Sequence, residues 1–454
     1  MDGLLSPACR KDLEAARDLF LDAQGRWRVI YHNDGDGVAS ASVLALAMMR
    51  LQKGFQLTPM TEIDQDRMRI IMRETHGPLL VVDTGSSMLP LLASHEHPVL
   101  VLDHHVPSEG KRPEREKFLM VNPHPWGVDG MVELSASMLS YLFSMFLDAN
   151  NVDLVPWGLS GAIADRQHVG GFQGLNLAIL NEAEKKGEVA HERSLTLFGT
   201  TIDEAVASSV DPYIVGISGH HDAAKAMLSS MSIDWSRPPD SLTGEERERL
   251  AGAMVARLIS QGARPEFCER VSEERYRFPR QKLDALTLSL LQNATARENE
   301  SSLGIALALG DQKALARAWE LERKWRAGIM RDLNAAESAV KKRKAIQWFK
   351  VSEASLGGTV AGFAINYFLE PTMPVIAVSP RGNLVKVSAR GTRWLVSKGL
   401  DLNKACREGA SKVSGEGGGH KVASGATIPP GSEERFLDAV DTVVGEQLRS
   451  LRAQ

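Results

Sequence analysis

The first 173 residues alternate short apolar runs with amphipathic stretches. RWRVIY, ending at Tyr31, PLLVV (78–82) and PVLVL (98–102) are apolar and bounded by turn signals. Runs of that length fit strands buried on both faces of a parallel sheet. Residues 11–22, the VASASVLALAMMRL that follows the first run, 135–146 and 158–164 carry helical spacing. Together these predict an α/β fold with a doubly wound, mostly parallel sheet. Ligands of such sheets gather beyond the carboxyl ends of the strands.

The pattern changes at about 174. From there to 311, helical stretches with charged runs such as GEERERLAGAMVARL dominate, and a mostly helical middle region is expected. His220-His221-Asp222 offers ligand side chains but reads better as a solvated turn. Residues 312–346 predict one long connector helix. Its bases outnumber its acids, with a cluster at Lys341 to Lys344. It is either a solvated connector or the wall of a nucleic-acid channel. A smaller α/β domain follows, with strands at 374–379, 384–390 and 421–428 and helices at 359–369, 401–413 and 432–450. The expected domains are 1–173, 174–311, 312–346 and 347–454.

A chain of 454 residues fits about three domains. With 43% hydrophobic and 24% charged residues it has an ordinary globular composition. No apolar run approaches the roughly 18 residues of a membrane span, so no membrane partner is expected. The N-terminus has no basic segment ahead of an apolar core, which argues against a secretory signal. Cys9, Cys268 and Cys406 are far apart in sequence. That argues against a disulfide framework and a thiolate zinc site, and fits a reducing, cytoplasmic setting. The net charge of −4 means that a nucleic-acid partner must be met by a local basic patch.

Candidate chemistry sits at the ends of the apolar elements. His32-Asn33-Asp34-Gly35-Asp36-Gly37 lies where a strand gives way to a helix. Alternate residues of an extended segment point the same way, so His32, Asp34 and Asp36 can converge. Alone, the motif reads as an Asp-Gly turn capping a helix. Asp83 follows LLVV, Asp103-His104-His105 follows VLVL, and Asp165 follows the apolar helix GLSGAIA. On one sheet edge these acids would repel, and a bound divalent cation is the simplest remedy. Carboxylate with imidazole and no thiolate suits manganese or magnesium, and leaves zinc, iron and cobalt open. Six or more donors are too many for one catalytic ion. Two ions sharing a carboxylate fit better, as in phosphoryl displacement. Adjacent histidines cannot easily face one ion. One can ligate while the other, His105 for example, donates to a phosphate or leaving group. Asp103 could orient a ligating histidine.

A second motif, Gly415-Glu416-Gly417-Gly418-Gly419-His420, precedes the last strand. Successive glycines allow an anion nest, and Arg390, at the end of LVKVSAR, could clamp a phosphate. Taken alone, the glycine run reads as a flexible turn.

The ordered set His-x-Asp-x-Asp-Gly, strand-end Asp, Asp-His-His, later Asp and distal Gly-Gly-Gly-His resembles the DHH phosphoesterases with a DHHA1 domain. Asn122-Pro123-His124, Ser135-Ala136-Ser137, Asp211-Pro212-Tyr213 and Gly304-Ile305-Ala306-Leu307 resemble the archaeal RecJ-like branch. The resemblance implies two divalent cations, manganese or magnesium. His32, Asp34 and a bridging Asp83 would hold one. Asp36, Asp83, His104 and Asp165 would hold the other. His105 would contact the scissile phosphate and Asp103 would support the histidines. Arg390, Gly418, Gly419 and His420 would bind a substrate phosphate from the DHHA1 side, across a cleft between the two α/β domains. The implied activity is a single-strand-specific exonuclease, on DNA or RNA, releasing nucleoside monophosphates in DNA repair or replication. Relatives in the superfamily suggest two alternatives: a nanoRNase acting on short oligonucleotides, and a replisome scaffold. Implied protein partners are GINS or helicase components. Bacterial RecJ carries an added OB-fold after this core, whereas this sequence ends soon after the DHHA1-like segment. The resemblance therefore does not extend to long-strand grip or processivity.

Overall fold

The computed structural model describes residues 5–61, 64–107 and 115–449. The chain divides into two compact units. One comprises residues 1–192 and 274–323, the other 193–273 and 324–454. The middle stretch 174–311 is thus shared between them.

The first unit is built on a parallel sheet of β1 (Trp27–His32), β2 (Phe55–Met60), β3 (Leu79–Val82), β4 (Val99–Leu102) and β5 (Phe118–Val121), in the order β2-β1-β3-β4-β5. The order reverses between β1 and β3, the switch point at which doubly wound sheets bind ligands. Alternate residues face opposite layers. Ile30, Val81 and Val101 pack with Met68, Ile71 and Leu92 of one layer. Their neighbours Tyr31, Val82 and Leu102 point the other way and are equally buried. On the sheet β1 also contacts helix Gly35–Arg50, and β4 and β5 contact helix Pro7–Asp22. Burial on both faces is why β3 and β4 read as unbroken apolar runs.

Sequence pattern alone did not predict β2 or β5. β2 is a half-exposed edge strand, and its Pro59 removes one ladder donor. β5 is the other edge and only four residues long.

Two further strands, β6 (Ala190–Leu195) and β7 (Ser272–Arg277), pair with each other in the middle region. The other regular elements of that region are helices, joined by loops. His221 opens helix His221–Ser230, with Nδ1 3.8 Å from Asp203 Oδ2. Among the described residues, His220 and His221 belong to no group that could hold a metal. The long helix runs from Gln312 to Ala339, not to 346. Beyond it the cluster Lys341–Lys342 forms β8, which pairs antiparallel with β9 (Gln347–Lys350). Arg343 is paired to Glu434 and Asp438. These backbone and ion-pair partners take the basic cluster out of the helical surface that its sequence suggested.

The second unit holds a mixed sheet in the order β12-β13-β11-β10-β9-β8. Its remaining strands are β10 (Val375–Arg381), β11 (Leu384–Arg390), β12 (Glu416–Gly419) and β13 (Ala423–Ile428). Only β9 and β10 pair in parallel. Val387, Ala389 and Ile428 pack with Ala405, Phe436 and Val440 of the covering helices. The glycine run is an edge strand, where a turn was expected; Gly419 alone of its residues has a left-handed φ, +143°. The last residue of the helix expected at 432–450 lies outside the described residues. Among the described residues no helix is long and apolar enough to cross a membrane.

Candidate active site at the carboxyl edge of the parallel sheet

Register brings the acidic motifs level. Tyr31 pairs with Val82, and Val82 with Leu102, so the residues after β1, β3 and β4 emerge together. Asp83 is held in a left-handed conformation, φ 56°, which Asp tolerates better than most residues. Its N–H still donates to Leu102 O at 3.0 Å. After β1 the chain turns directly into helix Gly35–Arg50. Asp34 caps that helix, accepting from Gly37 N at 3.0 Å. A Cβ on Gly37 would lie 2.0 Å from His32 O, so only glycine permits this turn. Asp36 is fully buried against the start of helix Ala136–Leu147. It accepts from Ala136 N at 2.8 Å and Ser137 N at 3.1 Å. These two N–H groups lie at a helix N-terminus, which favours a carboxylate. Asp165 follows helix Val155–Ala164.

The side chains converge on Asp83. His32 Nδ1 lies 2.9 Å from Asp34 Oδ2 and 3.4 Å from Asp83 Oδ2. His104 Nε2 lies 3.2 Å from Asp83 Oδ1, 3.4 Å from Asp165 Oδ2 and 3.9 Å from Asp36 Oδ2. Overlapping groups of donors therefore meet around one carboxylate. His32, Asp34 and Asp83 form the first; Asp36, His104 and Asp165 form the second, against the other Asp83 oxygen. Both Asp83 oxygens are buried without a hydrogen bond. A buried carboxylate without such bonds is costly unless a cation meets it, here a protonated His32 or His104 ring at 3.4 or 3.2 Å, or a metal ion in place of those protons.

His105 lies at the exposed margin of the cluster, with Nδ1 3.9 Å from Asp83 Oδ1, and with Asp83 and His104 it forms a third group of possible ligands. Its Nδ1 is 2.8 Å from Asp103 Oδ1, and its side chain is 42% exposed. Asp103 also accepts from Ser86 N at 2.8 Å. The Asn122-Pro123-His124 motif braces this loop. Asn122 donates to His105 O at 2.9 Å, and His124 Nε2 lies 3.1 Å from His104 O.

Charge and burial shape the titrations. Burial works against charge on His32, but the Asp34 and Asp83 carboxylates outweigh it and raise its pKa to about 11. Burial likewise opposes charge on His104, yet Asp83, Asp165 and Asp36 hold it well above the usual range. Burial, then Asp83, pushes Asp36 up to about 6. Burial and Asp36 raise Asp165 well above a normal carboxyl. Asp103 is buried too, but its bond to His105 lowers it to about 2, and the same bond raises His105. The cluster thus contains too much negative charge to ionise freely, which a divalent cation would relieve.

Sequence reasoning missed the residues that hold the donors in place. The Gly130 carbonyl accepts from His104 Nδ1 at 2.7 Å and from Gln167 Nε2 at 3.0 Å. Arg297, from the middle stretch, is near enough to Asp34 to feel its charge. Arg297 ends helix Ala285–Arg297, and Asn33 donates to Ala296 O of that helix at 2.9 Å. No local pattern marks a backbone carbonyl or a helix-end arginine as part of a distant site.

In the second unit, Arg390 ends β11 opposite Ala423, and Gly419 pairs with Ser424 on the other side of β13. His420 N donates to Ala423 O at 2.8 Å. Arg390, Gly418, Gly419 and His420 therefore share one end of that sheet. Gly418, Gly419 and His420 are exposed.

Residues 27–158 match the N-terminal domain of the DHH family, and 347–446 match the DHHA1 domain. An uncharacterized protein of Methanocaldococcus jannaschii is 30% identical over 444 residues, spanning 97% of this chain and 98% of that protein. This chain belongs to the DHH/DHHA1 phosphoesterase superfamily. Its fold is RecJ-like. The structure resembles exonuclease RecJ bound to manganese, with TM-score 0.61 and 17% identity over 96% of this chain and 94% of that one. It also resembles Cdc45 from Entamoeba histolytica, with TM-score 0.68 and 9% identity over 96% and 98%. RecJ of Thermus thermophilus, in complex with manganese, gives TM-score 0.60 at 17% identity over 98% of this chain. The match spans only 55% of that longer protein.

Proposed function

We propose that this chain is a two-metal phosphodiesterase that degrades single-stranded nucleic acid from one end, releasing nucleoside monophosphates in repair or replication. The observation that carries the proposal is Asp83, buried and unsatisfied at both oxygens between two groups of donors. The family match and the manganese-bound RecJ likeness support the same reading.

His32, Asp34 and Asp83 would hold one ion, and Asp36, Asp83, His104 and Asp165 the other. When bound, a manganese or magnesium pair supplies an activated water and neutralises charge on the phosphate. The chain's own residues do the rest. Asp103 fixes the His105 ring through Nδ1 and favours its protonated form. His105 then donates from its other nitrogen to a phosphate oxygen or to the leaving oxygen. Arg390, Gly418, Gly419 and His420 bind a substrate phosphate through a guanidinium, backbone N–H groups and an imidazole.

The test is an assay with manganese on single-stranded DNA and RNA, labelled at either end and of several lengths. Mononucleotides released progressively from one end are expected. Cleavage confined to very short oligonucleotides would move the substrate class to that of a nanoRNase. No cleavage by metal-loaded protein would overturn the enzyme reading.

A further inference from the structure

Trp394 exposes 45% of its surface in the second unit, although Thr392 and Leu395 on either side of it are buried. It lies in the short helix Arg393–Ser397, which Thr392 caps by accepting from Leu395 N at 3.1 Å. Leu395 is fully buried and pins the helix to the core of the unit. Trp394, one position earlier, is turned outward. Lys398 Nζ lies 5.9 Å from the ring centroid, within cation–π range. Arg393 and Lys398 are both exposed.

A lone exposed apolar side chain is unremarkable in itself. Its position singles this one out. Gly391 N donates to Val422 O at 2.8 Å, which ties the start of this segment to the sheet end that carries His420. Trp394 follows Arg390 by four residues, so the chain limits their separation to about 14 Å. An outward aromatic ring, flanked by two cations, therefore stands beside the proposed phosphate-binding end. Proteins that grip single strands combine such parts: a basic track for the backbone and an aromatic face for the bases.

We infer that Trp394 is a base-stacking platform, taking a nucleobase of the strand whose phosphate is held at the Arg390–His420 end, with Arg393 and Lys398 beside the adjoining phosphates. The inference rests on the strand-degrading reading above and adds a residue that sets substrate length and affinity. A small phosphodiester has no base to place there; an oligonucleotide does.

The test compares the full-length enzyme with Trp394→Ala and Trp394→Phe, all with manganese, on a labelled single-stranded oligonucleotide and on the small diester bis(p-nitrophenyl) phosphate. Loss of one stacked base corresponds to about 5- to 150-fold in affinity. Trp394→Ala should raise KM for the oligonucleotide by at least about fivefold. Its kcat, and its turnover of the small diester, should stay near wild type. Trp394→Phe should keep most of the oligonucleotide affinity. Abasic residues placed one at a time should weaken wild type at one position and add nothing in Trp394→Ala. An unchanged KM in Trp394→Ala, with wild type degrading strands normally, would overturn the platform and leave the nuclease reading standing. A wild type that hydrolyses only the small diester would overturn both.

Discussion

His104 donates its Nδ1 hydrogen to the carbonyl oxygen of Gly130 at 2.7 Å, which leaves Nε2 facing Asp83, Asp36 and Asp165. That bond fixes the ring and selects the nitrogen offered to a metal. A Cβ on Gly130 would sit 1.9 Å from His104 O, so the two segments touch at backbone level. Gly130→Ala should force them apart and lower manganese affinity by about 10- to 100-fold while the chain remains folded. Calorimetric titration of the folded variant checks this. Affinity equal to wild type would show that the carbonyl does not position the histidine.

Asp103 raises the pKa of His105 through the 2.8 Å contact. Asp103→Asn removes that charge and should lower the pKa of His105, the proposed proton donor. The alkaline limb of the kcat profile should then move to lower pH, with manganese stoichiometry unchanged. A rate loss that is uniform across pH would assign Asp103 a purely structural part.

The metal-free cluster holds protons that a metal must displace. His32, raised to about 11, stabilises the metal-free fold fully below its ordinary value of about 6.5, and the contribution is lost as pH rises through 11. Asp36, raised to about 6, stabilises it only while protonated, below about 4, and that contribution is lost as pH rises through 6. Both therefore make the metal-free protein less stable toward alkaline pH, whereas metal ligands must be deprotonated. The rise in Tm on adding manganese should grow from pH 5.5 to pH 8, and binding should release protons. Scanning calorimetry at both pH values, with titrations in two buffers, measures this. A manganese effect that shrinks with pH would contradict the assignment.

His420→Ala should weaken oligonucleotide binding, read as a higher KM, and leave manganese affinity untouched. His420 lies in the second unit and the donor groups lie in the first. Parallel loss of manganese would contradict a phosphate-binding part for His420.

Much of the core and the donor cluster was legible because each rests on a short-range pattern. LLVV and VLVL are continuous apolar runs because β3 and β4 are covered on both faces, and the next residue in each case is an acid of the cluster. The parallel register then does what sequence order alone leaves open: it sets Asp83 and Asp103 at one level. Edge strands were not legible. β2 is half exposed and contains Pro59, and β12 is written in glycine, so neither carries a strand signature. The end of the long helix was misplaced because Lys341 and Lys342 are compatible with helix, and only their pairing with Trp348 and Gln347 makes them strand. The bracing groups were hidden for a different reason. The Gly130 carbonyl and Arg297 act through tertiary proximity, which no spacing encodes.

Asp83 is the carboxylate proposed to be shared by two ions. The most direct measurement is the number of manganese ions bound per chain by wild type and by folded Asp83→Ala at the same free concentration. Two ions in wild type and a loss of tight binding at both sites in the variant are predicted. Two ions retained without Asp83 would contradict the shared carboxylate and the mechanism built on it.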